Sequence, residues 1–99
     1  MITVQDIINY SKPHPNGSEG ARQTRLFNDT IEISIVGGAK GLYGDFESDF
    51  EAAIFDRATN EFVTKFFYPD ANDDVIGYME GEKLVQLIEQ IFAKGFQVR

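Results

Sequence analysis

The sequence predicts an α+β fold: an antiparallel three- to four-stranded meander with a short N-terminal helix and a longer C-terminal helix packed on the sheet. Three observations carry this expectation. Residues 50–68 alternate in two arms, with Phe50, Ala52 and Ile54 against Glu51, Ala53 and Phe55, then Val63, Lys65 and Phe67 against Phe62, Thr64 and Phe66. Residues 30–36 alternate Ile31, Ile33 and Ile35 with Glu32 and Ser34. Period two with β-branched and aromatic side chains is the signature of strands. Residues 82–94 instead space Leu84, Leu87, Ile88 and Ile91 by three and four, as an amphipathic helix does. At 99 residues the chain, 1–99, reads as a single domain.

Along the chain, Thr3 and Asp6 have the spacing of a capping box, and Ile2 and Ile7 that of a hydrophobic staple. The helix they open stops near Ser11, because Lys12 precedes Pro13. Residues 12–23 read as a loop of proline, glycine and small polar residues. His14, the only histidine, sits there between two prolines and reads as a surface residue. Residues 24–27 fit a short edge strand. Residues 37–49 form a long connection with four glycines in its first eight residues. Connections of that length usually have a functional reason. Between the two arms of 50–68, Asp56 opens a turn and Asn60 takes its left-handed position. Residues 69–74 are a polar turn, and 75–79 fit either a short strand or an inward-packed coil. After the C-terminal helix, Gly95 has the place of a left-handed cap, with Phe96 and Val98 folding back. Large apolar residues on both faces of 50–68 ask for cover on both sides. The short helix and the glycine loop are expected to shield the second face in part, and residues near Phe55 to form a dimer interface where that cover is incomplete.

The net charge of -7 is concentrated in the middle of the chain. Residues 45–82 hold eleven acids against two bases, whereas residues 83–99 hold one acid against three bases. A segment this negative opposes binding to a phosphate backbone, so no nucleic-acid partner is expected. No run of apolar residues is long enough for a membrane span, and no signal peptide is evident at the start. Cysteine is absent, which removes thiolate chemistry and Cys-ligated zinc and fits a cytoplasmic setting.

Catalytic and metal motifs fail on inspection. The run Gly37-Gly38-Ala39-Lys40-Gly41 lacks the Ser or Thr that follows a P-loop lysine and the helix that faces phosphate. Asp70, Asn72 and Asp74 match the start of a calcium loop, but Val75 stands where glycine is needed and Gly81 where the bidentate Glu belongs. No nucleophile–histidine pattern is present, so no catalytic residue, cofactor or metal is assigned. The reading that follows is a small acidic interaction or regulatory protein acting through contacts with another protein, one with a basic surface. Tyr43, Asp45, Phe46, Glu47 and Asp49 are its predicted contact residues, as exposed rings beside acids on a glycine-jointed loop. The alternatives are a metal-binding or hydrolytic domain built on clustered carboxylates, and a homo-oligomeric assembly protein such as a homodimer.

Overall fold

The computed structural model describes residues 2–71 and 73–99. Its elements run α1 (Val4–Asn9), β1 (Lys12–Pro13), β2 (Arg22–Phe27), β3 (Ile31–Gly37), β4 (Asp49–Asp56), α2 (Thr64–Phe67), β5 (Val75–Glu80), α3 (Gly81–Ile91) and β6 (Gln97–Val98). All pairings are antiparallel, in the order β1-β2-β3-β4-β5, with β6 on the same edge of β2 as β1.

The α+β class holds, but the sheet has six strands rather than the three or four expected. Three things make the difference. β2 is not an edge: β1 pairs with its first two residues and β6 with its last two, so two short pieces divide its outer side. β5 takes the place beside β4 that the sequence assigns to the second arm of 50–68. That arm bends away as α2. The turn between the arms forms as its residues dictate, with the Asp56 carboxylate accepting from the Ala58 N–H at 2.8 Å and Asn60 left-handed at φ 60°. Phe62 still bridges Phe55, and the Val63 N–H donates to the Ile54 carbonyl at 2.8 Å. At Thr64 the hydroxyl takes over. It accepts from the Ile54 N–H at 3.0 Å and donates to the Asp74 carbonyl, and the chain coils into α2.

The core lies on one face of the sheet. Leu26, Ile33, Ile35, Phe50, Ala52 and Ile54 point into it, against Ile2 and Ile7 from the first helix and Leu84, Leu87, Ile88 and Phe92 from the last. α1 opens with the predicted capping box, Thr3 and Asp6 each bonding the other's backbone. The Thr24 hydroxyl donates to the Ile7 carbonyl at 2.6 Å, which locks α1 onto β2. α3 ends at Ile91, and Gly95, at φ 107°, closes the turn that follows it. α1 thus joins α3 on the core face, and does not cover the second face as the sequence reading expected. Among the described residues, that second face carries no helix. Its rows are set by register: Gln23, Val36 and Glu51; Arg25, Ser34, Ala53 and Val75; Phe27, Glu32 and Phe55.

Candidate functional site

The glycine-rich connection between β3 and β4 is tightly built. The Gly38 N–H donates to the Gly44 carbonyl at 3.0 Å and closes the loop at its base. Gly44 is pressed against β4, where a Cβ would come within 2.7 Å of the Phe50 Cα. Asp45 organises the next turn. Its carboxylate accepts from the N–H groups of Glu47 (2.8 Å), Ser48 (2.8 Å) and Asp49 (3.1 Å), and from the Ser48 hydroxyl (2.8 Å). Asp49 reciprocates, its carboxylate accepting from the Asp45 N–H at 2.8 Å. Donors converging on a charged carboxylate favour that form, so the three backbone bonds and the Ser48 hydroxyl hold the Asp45 carboxyl far below the usual carboxylate range. Phe46 turns inward at φ 63°, 4 % exposed, and sets its ring edge-on against Phe50 at 5.2 Å. The left-handed backbone costs a non-glycine residue roughly 1–2 kcal/mol, which burial of an aromatic ring, worth roughly 1.5–3 kcal/mol, offsets.

The five predicted contact residues therefore separate. Tyr43 is exposed at 51 %, and Glu47 is exposed further along the loop, in the turn that Asp45 organises. Asp45 and Asp49 are committed to the loop's own hydrogen bonds, and Phe46 is core. Sequence reading missed the residue that completes the surface. Tyr78, 65 % exposed, packs against Tyr43 with ring centroids 5.7 Å apart and the rings tilted by 50°. It sits in a bulge where Gly77 and Tyr78 oppose Glu51, and it adopts φ 51°. The bulge turns the Tyr78 N–H onto the Tyr43 carbonyl at 2.7 Å, while the Tyr43 N–H donates to the Glu51 carboxylate at 3.1 Å. Gly77 supplies the room: a Cβ there would lie 3.1 Å from that of Tyr43. An isolated glycine inside a strand is the sequence signal for such a bulge.

At the far end of the same face is a second cluster that the sequence reading also missed. Glu32 is 4 % exposed and lies between two arginines. Arg99 donates to its Oε1 at 2.9 Å; Arg25 meets Oε2 as an ion pair without an aligned hydrogen bond. The bond and charge of Glu32 raise the Arg99 pKa. Arg57 and Arg99 each stack on the Phe27 ring, 4.6 Å from its centroid. Phe55 and Phe62 stack beside them at 4.6 Å, and Arg25, Arg57, Arg99, Glu32, Phe55 and Asn60 line a cleft of about 230 Å³.

Other expectations find their places. The His14 ring accepts from the Asn16 N–H at 3.2 Å in the exposed loop. The calcium-like pattern passes through Asn72, which lies outside the described residues. Among the described residues, no group of three or more His, Asp or Glu converges, and no helix is long and apolar enough to cross a membrane. No protein-family model, curated protein or solved structure matches the chain.

Proposed function

We propose that this chain is a non-catalytic binding module that acts through contact with another protein. Tyr43 and Tyr78 are its aromatic anchors, with Asp49, Glu51 and Glu80 on the neighbouring positions of β4 and β5. One observation carries the reading: the two most accessible tyrosines pack against each other as tilted rings, and backbone bonds tie Tyr78 to Tyr43 and Tyr43 to Glu51. Rings held in place before binding lose little conformational entropy when a partner arrives. The carboxylates around them select a partner that presents positive charge and steer its approach.

The test is affinity capture with the immobilised chain at about 0.15 M and 1 M salt. Tyr43→Ala and Tyr78→Asn are the informative variants. Asparagine keeps the left-handed backbone of position 78 and removes the ring. Specific partners should be retained by the native chain at the lower salt and lost with either variant. A retained set that is the same for native and variant chains overturns the reading.

A further inference from the structure

Three of the chain's four arginines meet in one place, in a protein whose net charge is -7. The row of Phe27, Glu32 and Phe55 crosses β2, β3 and β4. Arg25 stands one row further in, opposite Ser34. The Arg99 N–H is tied to the Arg25 carbonyl, and Arg57 follows the end of β4. Their side chains meet over the row: Arg25 and Arg99 take the two oxygens of Glu32, and Arg57 and Arg99 lie on the Phe27 ring. With Phe55 and Asn60 they line the cleft of about 230 Å³.

The charges in this cleft do not balance. Three guanidinium groups face one carboxylate, which leaves two unit positive charges. Among the described residues, Arg57 has no carboxylate partner; it donates through Nη1 to the Asn28 carbonyl. A guanidinium carries five N–H donors, so Arg57 keeps donors for a ligand. Like charges gathered beside apolar rings repel, and an anion set among them relieves that repulsion. Contact with Phe27 holds two of the guanidinium groups in place before anything binds. Beside them Phe62, 47 % exposed, packs on Phe55 and leaves an accessible ring next to the cleft.

We propose that this cleft binds a small phosphate monoester whose organic part is apolar or aromatic. Such an ester carries about two negative charges at neutral pH and three strong acceptor oxygens. That matches the two uncompensated charges and the planar donor forks of arginine. The cleft is smaller than the roughly 300–1,000 Å³ of sites for drug-sized ligands, so it takes the phosphate and the first ring or chain attached to it. Phe55 and Phe62 flank that organic part. The site is separate from the tyrosine pair and does not rest on the protein-contact reading.

An NMR titration of the whole chain with phenyl phosphate at about 0.1 M salt tests this. Amide resonances of Arg25, Arg57 to Asn60, Phe62 and Arg99 should move, and the shifts should saturate below about 10 mM ligand. Benzoate, which offers the same ring with one negative charge, should bind about tenfold more weakly or worse. Inorganic phosphate, which lacks the ring, should also bind more weakly. Arg57→Gln should weaken phenyl phosphate binding by about tenfold or more. Lys83→Gln removes the same charge from an exposed position on α3 and should leave binding unchanged. Equal losses in the two variants overturn the site. Shifts centred on Tyr43 and Tyr78, or shifts that never saturate, overturn it from the native chain alone, even where Arg57→Gln fails to fold. Benzoate binding as tight as that of phenyl phosphate overturns the phosphate assignment, and inorganic phosphate binding as tight overturns the organic part. The capture experiment on the tyrosines is decided separately from all of these.

Discussion

Asp45 shows how one side chain shapes a loop through its own hydrogen bonds. It is exposed, yet four donors converge on its carboxylate, so the folded chain ionises it more readily than the unfolded chain does. Because folding lowers this pKa, the contribution to stability is complete above the ordinary carboxylate range. It fades as pH falls through the depressed folded value. In a carbon-detected NMR titration, the Asp45 carboxyl resonance should still report the ionised form at about pH 3. Asp45→Ala should speed exchange of the Glu47, Ser48 and Asp49 amides, which lose their acceptor. An Asp45 resonance that has already moved to its protonated position at that pH would show that the turn is open in solution. Tyr43 depends on the neighbouring part of the same loop, whose base is held separately by the Gly38–Gly44 bond and by Glu51. Its ring should therefore keep its place better than the turn does.

At the scale of elements, the decisive choice is made at Thr64. Its hydroxyl accepts from the buried Ile54 N–H and donates to a carbonyl at the entry to β5, so one side chain ends a strand pairing and starts a helix. Thr64→Val keeps the shape but leaves the Ile54 N–H without an acceptor, which should cost roughly 1–3 kcal/mol. Thr64→Ser keeps the hydroxyl and should cost clearly less. Urea melts of the two variants measure the difference, and equal losses would place the effect in packing instead. This bond also explains what the sequence made legible and what it did not. The alternation of Ile31, Ile33 and Ile35 and the helical spacing of Leu84, Leu87 and Ile88 each reflect one buried face, and both elements form, the helix ending at Ile91 rather than near Lys94. Residues 62–68 alternate just as well, but period two cannot register a hydroxyl that bonds a neighbouring strand. β1 and β6, two residues each, are too short to carry any period. β5 breaks its alternation at the Gly77–Tyr78 bulge, which left the strand open between two readings and hid Tyr78 as a neighbour of Tyr43. On the loop, composition identified Tyr43 as a surface ring but could not separate it from Phe46, since only the left-handed turn at Phe46 sends one ring outward and the other into the core.

For the whole molecule, the consequence of placing both long-range helices on one side is that the opposite face is held by polar chemistry. Glu32 on β3 gathers Arg25 from β2 and Arg99 from the segment after β6. The same region is joined by backbone, with the Arg99 N–H donating to the Arg25 carbonyl at 3.1 Å. Removing the carboxylate's charge acts unevenly, because the two arginines are close to half exposed and can turn to water, whereas Glu32 is enclosed. The cost of breaking a buried pair is largest when the partner left behind is trapped; here the partners left behind are free to rehydrate. Glu32→Gln should therefore loosen the attachment of β6 without unfolding the sheet. Hydrogen exchange should show faster exchange of the Arg99 amide and of the β6–β2 ladder, with the β3–β4 ladder unchanged. The same variant leaves three arginines with no carboxylate among them, which raises the positive charge of that end of the face. A β3–β4 ladder that loosens together with β6 would show instead that the Glu32 charge supports the sheet as a whole and not the edge alone.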